Sequence, residues 1–145
     1  MSIYNLYKSD VQKEKDGVVI LFGDEELRLT ISRAGGGNTK YDRVVAANVK
    51  PYKRAIQADT ISAEKVNAIL AKTFSESVIV KWETKVDGEY KEGIELEGVE
   101  GLQPATPQNI AKVLIALPDL LEEIKAEATK ISNFRLVVRE EDEKN

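Results

Sequence analysis

The chain of 145 residues contains no cysteine and no histidine. The lack of cysteine excludes a disulfide framework, a thiol nucleophile and a zinc–thiolate site. The lack of histidine removes the usual general base at neutral pH and the most common metal ligand. We therefore expect a protein that is not an enzyme and that carries no metal or cofactor.

An excess of positive charge and long apolar runs are also missing. The 21 Lys and Arg residues are outnumbered by 25 Asp and Glu residues, which gives a net charge of −4. Because phosphate binding needs a basic surface, we expect no nucleic acid partner. No apolar run approaches the roughly 20 residues that span a bilayer, so we expect no membrane association. Residues 1–5 lack the features of a secretory signal, which favours the cytoplasm.

The residues that are present suit one soluble domain. The chain is 42% hydrophobic and 32% charged, as is typical of a globular protein. A chain of this length buries roughly 68–70% of its unfolded surface, so it needs no disulfide or metal for stability. We predict a single domain over residues 1–138, followed by a disordered charged tail over residues 139–145.

Two apolar segments near the start of the chain predict a β-hairpin over about residues 18–32. The first is a β-branched run, residues 18–22, and the second alternates apolar and polar residues from Leu27 onward. A short polar connector with Gly23 separates them. A lone hairpin is marginal in water, so it must pack on helices or on another chain. We therefore name Leu29 and Ile31 as candidate self-association residues.

The middle of the chain has the periodicity of amphipathic helices. Residues 34–37, with three glycines, predict a flexible joint, after which a helix begins and then kinks or breaks at Pro51. Ser62 is the expected N-cap of a longer helix, and its apolar stripe runs for about five turns to Trp82. That stripe is the strongest periodic signal in the sequence.

The last third of the chain begins with a polar, glycine-broken excursion over residues 84–101, which fits a small hairpin or a loose loop equally well. Thr106-Pro107 and Pro118-Asp119 then begin two more helices. The predicted fold class is α+β but mostly α. An N-terminal hairpin is followed by a body of four to five helices over about residues 38–135, with the excursion between helices.

Two sequence features suggest ligand sites but lack the required spacing. The glycines before Lys40 do not match the G-x-x-x-x-G-K-[ST] pattern of a phosphate loop, and a joint before a helix explains them better. Four glutamates over residues 92–100 lack the Asp/Asn spacing of a calcium loop. A solvated acidic loop is the better interpretation.

Several apolar residues are candidates for partner binding, with a core position as the alternative for each. The Trp82 side chain would be in the core or would line a partner groove at the end of its helix. Leucines at helical spacing are usually core, but the short helices leave room for a docking face. The candidate partner-binding residues are Tyr52, Trp82, Leu117, Leu120, Leu121 and Ile124.

The order of motifs over roughly residues 16–135 resembles that of bacteriophage tail assembly chaperones of siphophage or prophage type. In chain order, these motifs are Ile31-Ser32-Arg33-Ala34-Gly35-Gly36-Gly37-Asn38, a helix with Tyr41, Lys50-Pro51-Tyr52-Lys53-Arg54, Val80-Lys81-Trp82-Glu83, an Asp-Gly excursion, Thr106-Pro107-Gln108-Asn109, Leu117-Pro118-Asp119-Leu120 and Asn133-Phe134. The excursion is longer and more acidic here than the short polar turn typical of that family.

The resemblance implies a function and partners. Such chaperones hold the long, aggregation-prone tape measure protein while the tail tube polymerises in the host cytoplasm, and they are absent from the mature virion. In many relatives a translational frameshift adds an extension that recruits the tail tube protein, a further expected partner. A chaperone that covers a long client gains from self-association, so we expect a homo-oligomer. The alternative function is a structural virion component, a tail completion or connector protein.

Overall fold

The computed structural model describes residues 2–136, and these fold as an α+β protein. The helices, in chain order, are α1 Ile3–Tyr7, α2 Val11–Asp16, α3 Thr39–Val49, α4 Lys53–Gln57, α5 Ala63–Ser77, α6 Pro107–Ala116 and α7 Pro118–Ala128. The strands are β1 Val18–Phe22, β2 Leu27–Ile31, β3 Ile79–Val86, β4 Glu89–Glu92, β5 Ile94–Glu95 and β6 Leu102–Gln103. Two 3₁₀ turns, Lys50–Tyr52 and Ile131–Phe134, complete the described part.

The predicted fold class, a mostly helical body behind an N-terminal hairpin, is wrong. The structure has a four-stranded antiparallel sheet in the order β1-β2-β3-β4, and helices both precede and follow its strands. Strands β1 and β2 do pair, with Val18 opposite Ile31 and Phe22 opposite Leu27. They are not a separate unit, because β2 also pairs with β3. A hairpin that is marginal alone becomes half of a larger sheet.

The central error concerns residues 78–83, which were expected to continue a helix. Val78 instead caps the end of α5, and residues 79–83 begin β3. Helix α5 begins as predicted, with the Ser62 hydroxyl accepting a hydrogen bond from the Lys65 backbone N–H, but it ends at Ser77. Beyond it the chain is rich in β-branched residues, which favour strands. Trp82 lies opposite Leu29 in the sheet, so its match to the helical stripe is accidental.

The first part of the excursion over residues 84–101 forms strands, and its last six residues connect β5 to β6. Asp87 and Gly88 both have positive φ, 52° and 80°, as a two-residue hairpin turn requires. They connect β3 to β4, and the short pair β5 and β6 follows. The Asp87-Gly88 pair therefore marked a true turn. Of the two predicted alternatives, a small hairpin or a loose loop, the hairpin is confirmed for β3 and β4.

An ion pair fixes the register of β2 against β3. The Arg28 guanidinium donates two hydrogen bonds to the Glu83 carboxylate, at 2.9 and 2.8 Å, from directly opposite positions. The Tyr90 ring lies over the same guanidinium, 4.5 Å from ring centre to the carbon. Opposite charges paired across strands stabilise a sheet.

The core lies between the sheet and helices α5, α6 and α7. Its largest fully buried members are Trp82, Phe74, Phe134, Leu29, Ile31, Ile94, Leu114, Leu121 and Ile124. The short helices α1 and α2 were not predicted. They are fixed to the end of the described chain, where the Asp10 N–H donates to the Phe134 carbonyl at 2.8 Å. The predicted charged tail, residues 139–145, lies outside the described residues.

Candidate functional site

The main concave surface lies where the junction between α6 and α7 faces the sheet. Its first cavity has a volume of about 700 Å³. The four-stranded sheet contributes Leu27 and Trp82, and β5 contributes Ile94. The helices contribute Val113 and Leu120, so the floor is apolar. Pockets of roughly 300–1,000 Å³ with apolar walls are typical ligand sites.

A second cavity, of about 570 Å³, adjoins the first and shares part of its wall. Glu95, Val113, Ala116 and Leu117 line both cavities, and the second adds apolar residues from the connection between β5 and β6, namely Leu96 and Val99. We call the two cavities together the Leu117 groove. Because the two cavities share a wall, one segment of a partner could contact both.

The position of Leu117 follows from the local sequence. Helix α6 ends at Ala116, and Pro118 starts α7, so the chain turns sharply between them. Leu117 has a non-helical backbone, with φ −124° and ψ 74°, as expected for a residue before proline. Its side chain is 52% exposed. An apolar side chain is thereby presented at the corner of two helices, where it lines both cavities.

The rim of the groove is acidic. Its negatively charged residues are Glu26, Glu95, Glu97, Asp119 and Glu123, and its positively charged residues are Lys85 and Lys112. Five carboxylates therefore face two ammonium groups. An apolar floor with a negative rim complements an apolar segment flanked by Lys or Arg, since complementary charge gives specificity and faster association.

The structure brings three predicted partner-binding residues to this groove and leaves the others elsewhere. Trp82, Leu117 and Leu120 all line the first cavity, although Trp82 is only 2% exposed and acts mainly as its wall. Leu121 and Ile124 are buried in the core, so they are not available to a partner. Tyr52 lies away from the groove, with the Lys65 ammonium 5.2 Å from its ring centre.

The two predicted self-association residues are core residues. Leu29 and Ile31 are both fully buried, with exposed fractions of 0%. Strand β3 pairs with the free edge of β2, and core residues of helices α5, α6 and α7 cover the face that the sequence assigned to a second copy. Neither side chain can contact another molecule directly in this fold.

Sequence reasoning missed the contribution of residues 94–99 to the groove. Ile94, Leu96 and Val99 lie in the excursion that we interpreted as a solvated acidic loop, and they face helix α6 instead. The available signal was their spacing, since they are the apolar residues of an otherwise polar segment. Among the described residues, no cluster of acidic side chains is placed to hold a metal ion. No described helix is long and apolar enough to span a membrane.

Comparison with known proteins gives one family match. The model of a family described as YdaY prophage protein matches residues 36–145. The matched region includes α3 to α7 and strands β3 to β6, but not β1 and β2. It contains the helical side of the Leu117 groove. No curated protein and no solved structure matches the chain.

Proposed function

We propose that this chain, which belongs to the YdaY prophage protein family, is a tail assembly chaperone. In this function it binds the tape measure protein of its phage and keeps that protein soluble while the tail tube polymerises. Family membership supports a phage origin, and the motif order over residues 16–135 supports a role in the tail. The proposed chaperone acts in the host cytoplasm, performs no catalysis and does not remain in the mature virion.

The Leu117 groove is the observation that carries this proposal. It is apolar at its floor, open along its length and located on a corner between two helices. Amphipathic helices bind such grooves through side chains at i, i+3, i+4 and i+7. A long helical client such as a tape measure protein presents many segments of this kind.

The rim charges narrow the class of client segment. Because carboxylates outnumber ammonium groups around the groove, a bound segment should carry Lys or Arg beside its apolar stripe. Glu95 and Glu97 on one wall and Asp119 and Glu123 on the other would face those cations. Each ion pair between a rim carboxylate and a client Lys or Arg would be exposed to solvent. Such a pair contributes about 0–1 kcal/mol to the free energy of binding, so these pairs add specificity more than affinity.

A short groove implies weak binding at each site. One site contacts only a few turns of a helix, so stable coverage requires many chaperones on one client. Neighbouring copies raise the effective concentration of each other and convert weak contacts into tight overall binding. A chaperone released when the tube closes around its client benefits from contacts that are individually weak.

A structural component of the tail is the second candidate, and strand β1 favours it. β1 is an edge strand of the sheet, and it exposes Val19 and Leu21 at 60% and 44%. An exposed apolar edge strand can extend a sheet in a neighbouring subunit. A completion or connector protein could attach to the tail by this edge.

Co-expression with the tape measure protein tests the chaperone proposal. We expect the tape measure protein to become soluble and to co-purify with this chain, and unchanged insolubility without co-purification would refute it. Mass spectrometry of purified particles separates the two candidates. Absence of this chain from particles agrees with the chaperone, whereas a stoichiometric amount favours the structural component.

A further inference from the structure

The N-terminal helix α1 has a strongly apolar and exposed surface. Ile3, Tyr4, Leu6 and Tyr7 are 66%, 77%, 37% and 69% exposed, and the helix has no buried residue. Isolated exposed apolar residues are common on proteins, but a contiguous group of them marks an interaction site. This group precedes the region that the family model matches.

The exposed group has a fixed position on the molecule. The Leu136 N–H donates to the Lys8 carbonyl at 3.0 Å, and Ser9 forms a β-bridge with Arg135. The Arg135 guanidinium lies 5.9 Å from the centre of the Tyr7 ring. These contacts attach α1 beside residues 134–136, so its apolar side chains are presented from a defined site.

That site and the Leu117 groove lie at opposite ends of helix α7. The groove is at the start of α7, around Leu117 and Leu120, whereas α1 is attached beyond its end. The 11 residues of α7 rise about 16 Å. Helix α1 therefore cannot fill the groove of its own chain without losing its hydrogen bonds to residues 134–136.

The charges of the two surfaces are complementary. Residues 2–8 contain one lysine, Lys8, and no acidic residue. The rim of the groove has three more carboxylates than ammonium groups, as described above. A short apolar segment followed by a lysine is thus the kind of segment that the groove favours.

We propose that helix α1 of one copy docks in the Leu117 groove of a second copy. The contact joins two different surfaces, so it is heterologous, and repetition produces a ring if the rotation closes and an open filament if it does not. This self-association goes beyond the chaperone proposal and does not depend on it. A client helix would compete with α1 for the same groove.

Sedimentation velocity of the purified full chain over a wide concentration range tests the contact. We expect the mass of the wild type to increase with concentration. The double variant Ile3→Asp/Tyr4→Asp should lose this increase, because it removes the apolar surface and adds repulsion from the acidic rim. The control Val80→Asp/Ile115→Asp changes two exposed apolar side chains outside both surfaces, 57% and 54% exposed, and should associate like the wild type.

A groove variant and its control complete the set. Leu117→Asp should also be monomeric. Ile115→Asp changes a residue of α6 that is 54% exposed and outside the groove, so this variant should associate like the wild type. All these positions are exposed, and circular dichroism with thermal unfolding verifies that each variant folds.

Mixing the two defective variants is decisive. Ile3→Asp/Tyr4→Asp retains an intact groove, and Leu117→Asp retains an intact α1. A heterologous contact predicts that the mixture forms a one-to-one dimer and nothing larger, although each variant alone is monomeric. The proposal is overturned by a wild type that stays monomeric throughout, by an α1 variant that associates like the wild type, or by a mixture that remains monomeric.

Discussion

Glu14 and Arg33 form a buried ion pair that joins helix α2 to the glycine-rich loop. The Glu14 Oε2 atom lies 3.0 Å from Arg33 Nη1, and it also accepts a hydrogen bond of 2.7 Å from the Gly37 N–H. Glu14 is 1% exposed. The loop that the sequence suggested to be a flexible joint is therefore held at both of its ends, at Arg33 and at Gly37, by one carboxylate.

Replacing Glu14 by Gln should destabilise the fold. The substitution leaves Arg33 without its charge partner and weakens the bond to Gly37. Hydrogen bonds to charged groups contribute about 1.5–3 kcal/mol, and we expect a loss of that size in urea unfolding. Glu122→Gln is the matched control, since Glu122 is exposed on α7 and should change stability by less than about 0.5 kcal/mol. Equal effects of the two changes would contradict this role of Glu14.

The same carboxylate should make stability depend on pH. Burial alone would raise the pKa of Glu14, but hydrogen bonds from Gly37, Ser9 and Arg33, with the Arg33 charge, lower it below the ordinary value of 4.5. The unfolded chain therefore binds more protons than the folded one as the pH falls below that value, so stability is present above it and is lost in acid. We expect the free energy of unfolding to fall below about pH 4.5, and less steeply in Glu14→Gln. A hydrogen bond from Arg28 also lowers the pKa of Glu83, so some slope should remain in the variant.

Gly36 should tolerate alanine less well than Gly98. Both have positive φ, 53° and 77°, so both substitutions strain the backbone by an amount of order 1–3 kcal/mol. At Gly36 a Cβ would also overlap the Glu14 carboxylate, whereas at Gly98 there is open space. Thermal unfolding of Gly36→Ala and Gly98→Ala should show the larger loss for the first. The opposite order would mean that the loop is not packed against Glu14.

Leu29 should affect stability rather than self-association. Its side chain is fully buried opposite Trp82, and Leu→Ala in such positions costs about 2–5 kcal/mol. We expect Leu29→Ala to unfold at lower urea and, under conditions where it is folded, to associate like the wild type. Weakened association of the folded variant would restore the original assignment of this residue to an interface.

The sequence predicted individual boundaries better than the architecture. The N-cap residues Ser62 and Thr106 and the break at Pro51 are where the local rules place them, because capping and proline geometry act over a few residues. Trp82 was assigned to a helix but lies in strand β3. Its spacing from the preceding apolar residues predicts a helix, whereas the β-branched residues around it predict a strand. Pairing across the sheet decides between them, and pairing partners distant in sequence are not visible in a local pattern.

The candidate site was only partly predictable for the same reason. Leu117 and Leu120 stood out because prolines and helical spacing mark the corner where they lie. Ile94 and Val99 complete the groove only after β5 folds against α6, and a periodicity of a few residues gives no indication of that contact. Two of the five rim carboxylates, Glu95 and Glu97, were visible in the glutamate run over residues 92–100. Their position beside an apolar floor was not.

The most direct test of the central claim compares Leu117→Asp with Ile115→Asp in co-purification with the tape measure protein. The two residues are 52% and 54% exposed and lie two positions apart, but only Leu117 lines the groove. We predict that Leu117→Asp recovers at least about tenfold less soluble tape measure protein, which corresponds to about 1.4 kcal/mol, while Ile115→Asp matches the wild type. Equal recovery with both variants would show that the client does not bind in the groove.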